Sequence, residues 1–90
     1  MSDAEAPKIE FPCYPYPIKV VGRVTPDFDA VIRVLIESHT GGVSDADISA
    51  KDSRAGTFRS ITFSITATGT DQLEAIHRDL MASGRVSMVI

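Results

Sequence analysis

Thr57-Phe58-Arg59-Ser60-Ile61-Thr62-Phe63-Ser64-Ile65-Thr66-Ala67-Thr68 carries the strictest pattern in the chain. Ile61, Phe63, Ile65 and Ala67 recur at every second position, and Ser60, Thr62, Ser64 and Thr66 fill the places between them. Successive side chains of a strand point to opposite faces, so this period predicts a strand with one buried and one polar face. A sheet that is wet on one side is antiparallel as a rule, and it needs a second layer over the apolar side.

Reading outward, Ser53-Arg54-Ala55-Gly56 should turn the chain back into a short strand within residues 45–52. Ala46, Ile48 and Ala50 alternate there with Asp45, Asp47, Ser49 and Lys51. Little apolar bulk combined with charge is the composition of a protected sheet edge. Before it, Thr25-Pro26-Asp27 reads as a helix start, with Thr25 as N-cap, Pro26 in the first helical position, and Asp27 and Asp29 opposite the positive dipole end. Phe28, Val31, Ile32, Leu35 and Ile36 make its apolar stripe, and Gly41-Gly42 ends it. After the long strand, Thr70-Asp71 opens a second helix with stripe Leu73, Ile76, Leu80 and Met81, ending at Gly84. Ile18 to Val24 should form the first strand, alternating at Ile18, Val20 and Val24, and Val86 to Ile90 the last. The order βαββαβ is that of an α+β, ferredoxin-like sandwich: a four-stranded antiparallel sheet with two helices on one face and right-handed crossovers.

Ninety residues leave room for one core, so residues 11–90 are expected to form a single domain. Residues 1–10 read as a disordered acidic tail, and some of the aromatics Phe11, Tyr14 and Tyr16 beyond it should pack on the domain. No apolar run approaches the roughly 20 residues of a membrane span, and the acidic N-terminus is unlike a secretory signal. A cytoplasmic location is expected. Cys13 is the only cysteine, which excludes an internal disulfide and a cysteine-based metal cluster. The net charge of −3 argues against a general affinity for nucleic acid or anionic membrane.

Few residues suggest chemistry. His39 and His77 stand in no metal-binding spacing, so no metal or other cofactor is expected. His39 reads as a cation at a helix C-terminus. The serines and threonines of the long strand sit in no nucleophile elbow, and Asp27 and Asp29 are explained by their place in a first helical turn. No catalytic residue is expected, and the protein is not read as an enzyme. Gly22 is a better lead, because glycine inside a strand marks a bulge or the close approach of a backbone or ligand. RNA-binding domains share the βαββαβ order, but only Phe58 aligns with their stacking aromatics; Ser60 and Lys19 stand where others are needed.

Phe11-Pro12, Lys19-Val20 and Gly22 near the start, then Ser53, Gly56, Phe58, Ser60, Ile65, Ala67 and Thr68, Gln72 and Glu74, and the ending Met88-Val89-Ile90, resemble the YbeD-like group of small bacterial proteins. The resemblance spans residues 11–90 and rests on the order and spacing of these positions together. It implies a ferredoxin-like fold similar to the ACT regulatory domains that sense amino acids, and it supplies no catalytic residues to carry over. In ACT domains the ligand commonly lies at the first strand-to-helix turn. The corresponding residues here, Gly22, Arg23 and Thr25, are therefore the candidate ligand-binding set, with amides at the helix start for a carboxylate and Pro26 removing one of them.

Two function classes follow: a non-catalytic regulatory or protein-interaction module, and an ACT-like sensor of a small carboxylate or amino acid. The interaction reading has its own residues. Val86, Met88, Val89 and Ile90 form an uncharged strand expected at a sheet edge, whose free backbone groups another strand can pair. The segment Phe11–Tyr16 or a second copy of the chain could cover it, and Pro12 and Pro15 favour the second copy, a homodimer.

Overall fold

The computed structural model describes residues 10–90. The expectation of a disordered tail falls on residues 1–9, outside the described ones, and on Glu10, which is exposed. The chain runs β1 (Cys13–Arg23), α1 (Phe28–Thr40), a 3-10 turn (Asp45–Asp47), β2 (Ile48–Asp52), β3 (Phe58–Ala67), α2 (Thr70–Ala82) and β4 (Val86–Val89). The strands form one antiparallel sheet in the order β2-β3-β1-β4. That is the ferredoxin-like arrangement. Both helices cover one face, where Ile18, Val20, Ile61, Phe63 and Ile65 of the sheet meet Phe28, Ile32, Ile36, Ile76 and Leu80. No described helix is long and apolar enough to cross a membrane.

The hairpin between β2 and β3 closes as its residues imply. Ser53 N–H donates to the Phe58 carbonyl, Ser53 Oγ accepts from Phe58 N–H, and Gly56 takes a left-handed φ of 75°. Gly41 ends α1 in the same way at φ 82°, its N–H bonded to the Glu37 carbonyl.

Five local expectations are corrected. The first strand begins at Cys13, five residues before Ile18, because β3 is long enough to hold β1 as far as Ala67. An extra β1 residue between Cys13 and Tyr16 absorbs Pro15, and Tyr16 then packs on the core opposite Ile65. The N–H of Lys19 points to β4, so by alternation Pro17 lacks its donor on the side that β4 no longer reaches. The second correction concerns the start of α1, which lies at Phe28 with Asp27 in the N-cap position, two residues beyond Thr25. Third, residues 45–47 form a 3-10 turn instead of strand, because Arg33 of α1 holds the Asp45 carboxylate and the Val43 carbonyl. Fourth, Met81 is exposed and lies outside the stripe of α2.

Val24 also leaves the core face, and Gly22 takes the position after Ile18 and Val20 instead. A β-carbon at Gly22 would lie 2.5 Å from Cε1 and 2.9 Å from Cζ of Phe28, and against the Arg85 carbonyl. The glycine is therefore a seat for the Phe28 ring, which is fully buried. Alanine at a free strand position would gain about 0.5–1 kcal/mol over glycine, but overpacking against backbone and a buried ring costs about 1–3 kcal/mol or more. Gly22→Ala should accordingly be net destabilising in urea melts, and a neutral or stabilised variant would show that Phe28 does not rest there.

Candidate functional site

The turn after β1 brings Arg23 and Thr25 beside the residues that lead into β4. Together with Gly84, Arg85, Val86 and Ser87 they line an open cleft of about 280 Å³. The cleft unites residues from both expected sets, Arg23 and Thr25 from the ligand set and Val86 from the interaction set. Gly22 is not among its lining residues, being covered by Phe28.

The polar groups around this turn are already engaged with one another. Arg85 Nη1 forms an ion pair with Asp27 Oδ1 and lies 3.4 Å from Thr25 Oγ1. The Thr25 hydroxyl donates to Asp27 at 3.1 Å, and the Phe28 N–H reaches the Thr25 carbonyl at 3.2 Å. The bond from Arg85 draws the Asp27 carboxyl down to about 2, with help from Thr25 and against a smaller opposing effect of desolvation. Arg23 points elsewhere: its guanidinium lies over the Phe58 ring, 5.5 Å from the centroid. Arg85 was not singled out from the sequence, where its only signal is a cation directly after the helix-ending Gly84.

Asp29, the other carboxylate of this helix start, binds Arg59 at 2.9 Å. Arg59 also holds Asp52 at 2.6 Å, tying α1 to the β2–β3 hairpin. His39 Nε2 lies 2.7 Å from Asp79 Oδ2, so it joins the helices in addition to standing at a helix C-terminus. Gln72 strengthens that joint by donating to the His39 carbonyl while accepting from Thr68 N–H. Among the described residues, no group of three or more histidines, cysteines and carboxylates could hold a metal ion.

The four residues of the last strand do not act as one patch. Val86 pairs with Gly22 and Val89 with Val20, so both turn toward the helix layer and are half-buried. Met88 pairs with Val21, and Ile90 exchanges two backbone bonds with Lys19; both side chains lie on the open face, 52% and 68% exposed. β4 does lie at the sheet edge.

The Asp27–Arg85 pair has a pH signature. Asp27 has a lower pKa folded, about 2, than the ordinary 3.8, so its contribution to stability is complete above about pH 4 and disappears as pH falls through 2. The stability gap between the wild type and Asp27→Asn should therefore stay level from neutral pH to about 4 and narrow below it. A gap in urea midpoints that is unchanged down to pH 2 would show that the pair does not form in solution.

Comparison with known proteins agrees with this architecture. A solution structure of protein HP0495 from H. pylori superposes with a TM-score of 0.70 at 17% identity, covering all of this chain and 93% of that one. The C-terminal domain of the MgtC protein from Mycobacterium tuberculosis gives 0.65 at 19% identity, over 92% and 89% of the two chains. At these identities the likeness is one of fold. A UPF0250 protein of Azotobacter vinelandii is 47% identical over 89 residues, which is 99% of this chain and 97% of that relative. A family model described as "Protein of unknown function (DUF493)" matches residues 6–90. The chain thus belongs to the DUF493 family, the small bacterial group that its spaced residues resemble.

Proposed function

We propose that the protein is a non-catalytic regulatory or protein-interaction module of the cytoplasm, and that it works as a homodimer joined through the outer edge of β4. The observation that carries this reading is an uncharged edge that no other described strand covers. β4 has β1 on one side only, and no residue from Val86 to Ile90 is charged. The opposite edge strand, β2, carries Lys51 and Asp52, which discourage pairing with a further strand.

The backbone geometry supports the second copy over the chain's own aromatic segment. Cys13 to Tyr16 belongs to β1 and runs along β3, away from the outer side of β4. Because Ile90 spends both its N–H and C=O on Lys19, the antiparallel alternation turns those of Val89 outward. The same strand of a second subunit, related by a two-fold axis, satisfies such groups reciprocally.

Light scattering at micromolar concentration should report a dimer, amide exchange should be slow at Ser87 and Val89, and Ser87→Lys should return the protein to a monomer. A wild-type monomer with unprotected amides along β4 would refute the dimer.

A second reading, an ACT-like sensor of a small carboxylate or amino acid, is supported by the 280 Å³ cleft with Arg23 and Thr25 on its wall. The engagement of Arg85 with Asp27 weighs against it, since an incoming carboxylate would have to compete with Asp27. A thermal-shift screen of amino acids and small carboxylates at millimolar concentration tests it: a ligand present at 100 times its Kd stabilises by about 2.7 kcal/mol, and no shift in any well would eliminate the sensor.

A further inference from the structure

The sheet face turned away from the helices has an ordered surface of its own. The strand registers lay it out in rows that run from β2 across β3 and β1 to β4. One row is Lys51, Ser60, Val21 and Met88, and the next is Ser49, Thr62, Lys19 and Ile90. Arg23 beside Phe58 closes one end. Lysine, arginine, hydroxyl and apolar groups are therefore interleaved across one flat face.

This face gathers cations that make no ion pair. On the helix side Arg33, Arg59 and Arg85 are each bound to carboxylates and His39 lies against Asp79, while the exposed Arg78 of α2 and Arg54 of the β2–β3 turn stand singly, outside any such cluster. Lys19, Arg23 and Lys51 have no carboxylate side chain within ion-pair distance among the described residues. The carboxylate nearest in register is Asp47, at the far corner beyond Ser49, where it accepts from the Tyr14 hydroxyl at 2.6 Å. In an acidic chain of net charge −3, the described residues thus leave Lys19, Arg23 and Lys51 of this partly apolar face without an ion pair, with Asp47 only at its corner.

We propose that this open face is a docking surface for an acidic polypeptide segment with apolar residues interspersed among its carboxylates. Charge complementarity selects that partner: carboxylates reach Lys19, Arg23 and Lys51, while apolar side chains cover Val21, Met88 and Ile90, the last two of which stand more than half in water. A second copy docked face to face would set these cations against themselves. Single-stranded nucleic acid would meet the charge but lacks stacking platforms, since Phe58 already lies under Arg23 and Tyr14 is tied to Asp47.

The test is an amide-shift titration of the full-length protein with a synthetic peptide of alternating glutamate and leucine, beside its lysine-leucine counterpart and an oligothymidylate. The acidic peptide should move the amides of Lys19, Val21, Lys51 and Thr62. Its affinity should rise at low salt and fall about tenfold in K19E/K51E, the loss expected when two rim charges are reversed. Both substitutions lie on an exposed surface, and an unchanged melting temperature verifies folding. Equal binding of the basic peptide, tighter binding of the oligonucleotide, or shifts confined to other surfaces would overturn the proposal. Light scattering on the same samples separates this outcome from the dimer question, because neither lysine lies on β4.

Discussion

The contact between Gly22 and the Phe28 ring determines how the two layers meet. A side chain at position 22 would occupy the space of the ring, so only glycine allows a fully buried phenylalanine at the very start of α1. With that ring seated on β1, α1 begins at Phe28 with Asp27 in the N-cap position, and Thr25 to Asp27 form a short connection. The same contact lies under the Arg85 carbonyl, so it brings the approach to β4 over the start of α1 and places the Arg85 guanidinium beside Asp27. A β-bulge falls at this point, where Val21 and Gly22 face Met88 and Val86 with Ser87 left over. One missing β-carbon thus sets the helix start, the register of the edge strand and the shape of the cleft.

Much of this was legible in the sequence, and the reasons differ by element. The period of two in β3 and the stripes of both helices are properties of contiguous residues, so they can be read without knowing what packs against them. The N-terminal part of β1 could not, because its prolines and aromatics speak locally against a strand while the length of β3 supplies a partner. The start of α1 was displaced for a similar reason. Thr25 and Pro26 are good local signals for a helix start, yet the seat for Phe28 and the claim of Arg85 on Asp27 come from residues distant in sequence. Gly22 was legible as an anomaly in a strand, though only the structure distinguishes a ligand's approach from that of a ring.

At the candidate site, the sequence found the correct end of the molecule and an incomplete set of residues. Arg23 and Thr25 do share a cleft, but half of its character comes from Arg85, sixty positions away from Thr25. Fold likeness adds nothing to that inventory. Structures at 17% and 19% identity share the scaffold, and function resides in side chains that such a scaffold tolerates in many combinations. The reading therefore rests on two features of the described residues: the uncharged edge of β4 and the cations gathered on the open sheet face.

These two features meet at Met88 and Ile90, which belong to β4 by their backbone and to the open face by their side chains. Pairing of β4 with its own copy about a two-fold axis perpendicular to the sheet would keep both open faces on the same side. The cationic rows of the two subunits would then form one surface twice as wide, with the exposed apolar side chains of Met88 and Ile90 gathered along its centre. A segment long enough to cross the axis would engage the second half intramolecularly, at a high effective concentration set by its length. A weak, salt-dependent contact on a single sheet face can become a selective one by that route, without a deep pocket and without catalytic chemistry.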